Sequence, residues 1–319
     1  MKNFALLLTT GVLFVSLFAG CEKDEFSSFH IKGITPENYP KVDASTAAAP
    51  LQTLIACKLL GMRYEWGRDF IDGTYTIYPQ WDDIPAGFDY FERIKTSKTH
   101  DAILNIIDKK VDFILSARKM SEDEKNHAKE EGVTLIETPI ALDAFIFIVN
   151  RENPIKMLTT RQIQDIYTGK LTNWREVGGK NQPIEPYVRN ANSGSQELME
   201  TLVMKDLEIK ELPLGFFAPP LWSMMIVFQT VMENPNSICF SLYYYNEQMV
   251  KENIAKTIDV DGVPPNKNTI KKRQYPYIAE LYAVIRSDLD KNSMAYKLYK
   301  LLVSNAAKPV ITESGYVPN

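Results

Sequence analysis

The segment Arg189-Asn190-Ala191-Asn192-Ser193-Gly194-Ser195 concentrates residue types suited to holding an anion. Arg189 carries a planar fork of N–H donors that matches an oxyanion. Ser193 and Ser195 add hydroxyl donors, and Gly194 between them lets the backbone approach a ligand closely. Downstream, Leu198, Met199, Leu202 and Val203 recur at helical spacing, so the pattern predicts a helix opening near Ser193 with Glu197 in its first turns. A helix start exposes unpaired backbone N–H groups and a partial positive charge, which together attract anions. An ordinary N-cap beside a surface arginine has the same pattern, so the chemistry needs support from elsewhere in the chain.

Two other helix starts supply it. Asp43-Ala44-Ser45-Thr46-Ala47-Ala48-Ala49-Pro50 opens a helix predicted through residue 60, with small side chains where a ligand needs room. Pro50 falls in the first turn, where its missing N–H costs little. Ser97-Lys98-Thr99-His100 precedes a further helix, for which Thr99 is the predicted N-cap. Three hydroxyl-bearing helix starts, two in the first half of the chain and one in the second, would surround an anion with neutral donors if a cleft brought them together.

The elements that must position these starts alternate in type. Helical spacing at 51–60 and 102–107 and a short strand at 111–115 define an α/β pattern. Residues 140–149 are rich in β-branched and aromatic types and read as a long buried strand, able to cross between two lobes. A similar strand at 278–285 follows the turn-rich Asp261-Gly262-Val263-Pro264-Pro265-Asn266, so the chain is expected to leave the first lobe and return to it. No solenoid-length repeat or low-complexity stretch interrupts the chain.

Composition excludes several classes of function. A chain of 319 residues, 45 % hydrophobic and 24 % charged, is long enough for two moderate cores. With 36 basic against 40 acidic residues there is no general positive field for nucleic acid, so an anion site must be local. The cysteines Cys21, Cys57 and Cys239 are odd in number and far apart, which argues against a disulfide framework or a C-x-x-C site. Three histidines with no H-E-x-x-H spacing give a zinc hydrolase nothing to build on, and Thr168-Gly169-Lys170 lacks the first glycine of a P-loop. No metal site and no cofactor are expected. Trp174 and the Tyr243-Tyr244-Tyr245 run could stack a sugar, but the reading preferred here is packing. At the N-terminus, Lys2 and the apolar stretch 5–19 form a signal peptide over 1–20, too short for a stable membrane span. Leu17-Phe18-Ala19-Gly20-Cys21 resembles a lipobox, which makes Cys21 the lipidated first residue of an exported chain, and 21–39 a tether. Lys23-Asp24-Glu25 reads either as a surface-export signal or as a solvated spacer.

Larger sequence blocks then become recognisable. Asn153-Pro154-Ile155, Leu158-Thr159, the stretch 163–167, Gly169-Lys170-Leu171-Thr172-Asn173-Trp174, Val177-Gly178-Gly179 and the Arg189–Ser195 segment resemble the second lobe of phosphate-binding proteins of ABC importers. The resemblance continues through Ile238-Cys239-Phe240-Ser241, Tyr275-Pro276 and Ser314-Gly315-Tyr316. It implies an α/β, two-lobed periplasmic-binding-protein fold of type II whose ligand cleft closes about a hinge. Lobe 1 would comprise 40–147 plus 268–319, and lobe 2 would comprise 148–267. It further implies that Thr46, the amide of Ala47, Thr99, Arg189, Ser193, Gly194 and Ser195 contact the anion, with Ser45 as a neighbouring candidate. The implied partners are inorganic phosphate or a related oxyanion, an ABC permease and, through lipid on Cys21, the membrane; a monomer facing the periplasm or the cell surface is expected.

Two positions depart from the family pattern. Where members carry an aspartate that accepts the proton of phosphate and so rejects sulfate, this chain has Ala117, with Ser116 and Asp143 as the substitutes to weigh. Where many carry an acidic residue that orients the arginine, it has Ala191. A surface lipoprotein binding another oxyanion or small ligand therefore stands as the alternative of the same fold. An anchored phosphohydrolase is the alternative of another class, and it has no named catalytic pair.

Overall fold

The computed structural model describes residues 28–210 and 224–319. The expected signal peptide 1–20, Cys21 and the first part of the tether lie outside these residues.

The architecture is organised around one strand. Leu135–Asn150 is continuously buried from Ile140 onward, as its run of β-branched and aromatic side chains requires when both faces are covered. Its first part pairs antiparallel with Ile278–Arg286, and its last part, Phe145 to Val149, pairs antiparallel with Ser237–Leu242. On the outer side of Ile278–Arg286 lie Phe113–Ser116 and then Val42–Ala44, these two parallel to each other. Glu185–Pro186 flanks Ser237–Leu242 on the opposite edge. A single hydrogen-bonded network thus serves two sheets, one per lobe, and the long strand passes from one to the other. The fold is α/β and two-lobed.

Helices cover the sheets. Ala49–Leu60 has Pro50 in its first turn and ends at Gly61 with φ 71°, a left-handed closure suited to glycine. Residues Pro50 to Cys57 are all buried, so this helix has almost no solvent face. Glu122–Glu130 begins with a reciprocal capping box between Ser121 and Glu124, and Thr160–Tyr167 with one between Thr159 and Gln162. Around the last part of the long strand Phe145, Phe147, Tyr167 and Phe240 form a ring cluster, with 5.2 Å between the Phe145 and Phe240 centroids.

The aromatic residues considered for stacking belong to this packing. Trp174 is buried and its indole N–H donates to the Asn236 carbonyl at 3.0 Å. Tyr244 lies flat against Tyr316, with ring centroids 3.6 Å apart.

Candidate functional site

The carboxyl ends of the parallel strands Val42–Ala44 and Phe113–Ser116 deliver the first wall of a cavity of about 250 Å³, the end of such a sheet at which ligands bind. Ser45, Thr46 and Ala47 follow the first strand, and Ala117 follows the second. Ser45 extends the pairing: its N–H donates to the Leu115 carbonyl at 2.9 Å, and its Oγ accepts from the Ala117 N–H at 2.9 Å. The serine oxygen is therefore committed to the backbone, while its hydroxyl hydrogen is left for a ligand. Lys98, Thr99, His100 and Asp101, at the start of the Lys98–Ile107 helix, complete this wall.

Asp43 holds these pieces in register. Its carboxylate is fully buried and accepts from the Ala44 N–H at 2.7 Å, the Ser97 N–H at 2.8 Å and Asn105 Nδ2 at 2.8 Å. One side chain thus ties the first strand to the start of the Lys98–Ile107 helix. From the far side, the Tyr316 hydroxyl donates to the Ala47 carbonyl at 3.0 Å and fixes the turn.

The opposite wall is the Arg189–Ser195 segment. Ser193 is the N-cap of the helix Gly194–Leu198, and its Oγ accepts from the Gln196 N–H at 3.1 Å. Gln196 in turn accepts from the Arg189 N–H at 2.9 Å, so the helix also fixes the arginine backbone. Arg189 Nε and Nη1 are shut off from solvent and have no hydrogen-bond partner among the described residues. Burial pulls the guanidinium below its ordinary pKa, opposed by Tyr245 and Cys239.

All eight residues expected at the site, Ser45, Thr46, Ala47 and Thr99 from one wall and Arg189, Ser193, Gly194 and Ser195 from the other, line this one cavity. The route to that convergence differs from the expectation at two starts. Ser45 makes no side-chain cap, because its oxygen is used by Ala117, and a 3-10 turn over Thr46–Ala48 precedes the helix. Thr99 is not an N-cap either; Ser97 holds that position, Lys98 turns the chain with φ 69°, and Thr99 is buried in the first turn. Lys98 and Asn192, with φ 63°, are left-handed non-glycine residues on opposite walls of the cavity, the kind of backbone conformation that clusters at ligand sites.

Neither proposed substitute for the missing aspartate lines the cavity. Ser116 Oγ donates to the Arg118 carbonyl at 2.6 Å. Asp143 is buried on the long strand, where it accepts from the Ala144 and Tyr244 N–H groups. Burial pushes its carboxyl up to about 7 against those two hydrogen bonds.

Behind the cavity lies an ion pair that pattern reading did not single out. Arg118 meets Glu124 through Nη1 at 2.7 Å and Nη2 at 2.8 Å, and Nη2 also donates to the Asn192 carbonyl on the other wall at 3.0 Å. Glu124 is fully buried and also contacts His100 Nδ1 at 2.7 Å and the Ser121 N–H at 2.8 Å. Burial raises its pKa, but the bonds to Arg118, His100 and Ser121 outweigh it and hold the carboxyl below its ordinary value. The one legible signal for this group was the Ser121-to-Glu124 capping spacing.

This geometry has relatives. Residues 86–306, more than half of the chain, match the model of the PBP superfamily domain. The chain belongs to the PBP superfamily. Among curated proteins, this PBP-superfamily chain is 22 % identical to Protein SphX of Synechococcus elongatus over 77 % of its own length and 76 % of the relative's. It is 24 % identical to the phosphate-binding protein PstS of Staphylococcus saprophyticus over 77 % and 78 % of the two chains. Among solved structures it resembles an ABC-type phosphate transport receptor from Vibrio cholerae, with a TM-score of 0.58, 21 % identity and coverage of 89 % and 99 %. A structure from Clostridium perfringens with bound phosphate, assigned to phosphate ABC transport, has a TM-score of 0.62 at 20 % identity and covers 87 % and 98 %. At these identities the solved structures speak to the fold.

Proposed function

We propose that this protein captures inorganic phosphate reversibly between its two lobes, performs no chemistry on it, and hands it to an ABC permease. The observation that carries the reading is Arg189: two guanidinium donors withdrawn from water and left unpaired on the wall of a small cavity. A buried unpaired donor is costly, so such a group implies a partner that arrives with the ligand. Hydroxyls of Ser45, Thr46, Thr99, Ser193 and Ser195, with the amides of Ala47 and Gly194, supply the remaining donors. A volume of about 250 Å³ lies below the range of about 300–1,000 Å³ typical of larger organic ligands and suits a small ion.

In this reading lobe 1 spans 40–147 and 268–319, lobe 2 spans 148–267, and the hinge lies where the long strand passes between them. Lipid on Cys21 anchors a monomer on the periplasmic or outer side of a membrane. Ala117, whose side chain brings no acceptor to the cavity, favours a second reading in which the same cleft serves another oxyanion. Isothermal titration with phosphate, sulfate and arsenate separates the two. Heat with phosphate, together with a rise in Tm equivalent to about 2.7 kcal/mol at a hundredfold excess over Kd, is expected; no heat with phosphate sinks the transport reading.

A further inference from the structure

We propose that His100 is the residue by which the cavity tells a protonated tetrahedral oxyanion from a fully ionised one. This assignment rests on the anion-capture reading above and names the specificity of the same site. The donors around the cavity, led by the Arg189 fork and the serine and threonine hydroxyls, treat phosphate and sulfate alike, because both present acceptor oxygens. Discrimination requires an acceptor that takes a proton only phosphate carries. Ala117 offers a methyl group, and its N–H is already used by Ser45.

His100 has the required geometry. It lines the cavity, and its side chain is 31 % exposed. Nδ1 lies 2.7 Å from Oε1 of Glu124, a carboxylate held ionised by the two Arg118 bonds and the Ser121 N–H. An ionised carboxylate only accepts, so Nδ1 keeps its hydrogen, and the tautomer this contact selects is the one whose lone pair sits on Nε2. Nε2 has no partner among the described residues. An anion with an O–H donates to it, whereas a sulfate oxygen meets a lone pair with nothing between them. Arg118 balances the charge of Glu124, so the carboxylate orients the ring without adding a net negative charge. The other carboxylate on this wall, Asp101, is exposed to solvent and has no comparable support.

The test is titration calorimetry of the purified chain with phosphate and with sulfate, for the wild type and for H100L and H100Q, with circular dichroism to verify folding. Wild type is expected to prefer phosphate. H100L is expected to lower the phosphate-to-sulfate ratio by roughly 10- to 100-fold, the range for leaving one buried hydrogen bond unmade. H100Q, whose amide oxygen again accepts, is expected to recover part of that ratio. A wild-type ratio retained in H100L overturns the assignment. Equal binding of both anions by the wild type overturns it while leaving anion capture intact, and binding of neither removes the capture reading itself.

Discussion

Arg189 carries an energetic tension, a cation whose Nε and Nη1 are shut off from solvent with no protein partner among the described residues. Replacing it with methionine keeps much of the side-chain volume and removes the unpaired charge. The apo form of R189M is therefore expected to unfold at no lower temperature than wild type, because the change takes away a desolvation penalty. Phosphate affinity should fall by at least about 100-fold, consistent with losing charge-assisted hydrogen bonds of about 1.5–3 kcal/mol each. Calorimetry for binding and scanning calorimetry for stability read the two effects apart. A variant that loses both equally would point to a structural arginine.

At the scale of elements, three chain turns must be held within ångströms of one another, and Asp43 does this for two of them. Removing its carboxylate in D43A leaves the Ala44 and Ser97 amides and Asn105 Nδ2 without their acceptor in a fully buried place. A loss of about 2–4 kcal/mol in unfolding free energy is expected, measured by urea titration, with weaker phosphate binding in the fraction that stays folded. Asparagine at the same site retains Oδ1 and thus both amide bonds, so D43N should cost less than D43A. The pairing of Asp43 with Asn105 spans 62 positions of sequence, a separation at which neither helical nor strand periodicity carries information.

For the whole molecule, Gly194 lies against Thr99 across the cavity. A Cβ at Gly194 would lie 2.5 Å from Thr99 Oγ1, so G194A should hold the walls apart. Phosphate affinity is expected to drop about 10- to 100-fold, with ligand-induced compaction in small-angle scattering reduced and apo stability almost unchanged. The strand shared by both lobes contributes a pH dependence. Asp143 has its pKa raised from 3.8 to about 7, so the folded state holds a proton that the unfolded chain has released. Its contribution to stability therefore falls as pH rises from about 4 to about 7 and stays at its minimum above that. D143N keeps the Oδ1 acceptor for Ala144 and Tyr244 without the charge. The Tm of D143N minus that of wild type should grow over this pH window, and a flat difference would remove Asp143 as the cause.

Local pattern was enough for the α/β alternation, the long strand near 140–149, the Ser193 cap and the Arg189–Ser195 segment, because helix spacing, β-branched runs and hydroxyl caps are properties of neighbouring residues, while the full set of wall residues came from the family resemblance. It failed where a side chain had distant alternatives. Ser45 reads as a cap but is taken by Ala117, 72 residues away, and Thr99 yields the cap position to Ser97 because Lys98 turns left-handed. The supports of the site, Asp43 and the Arg118–Glu124–His100 chain, were legible only as a capping spacing at Ser121 and Glu124. Residue types and their local order by themselves marked donor groups that prove to line one cavity. Only the tertiary structure decided which of those groups remain uncommitted, since a hydrogen bond to a remote partner occupies a donor or acceptor that the sequence leaves open.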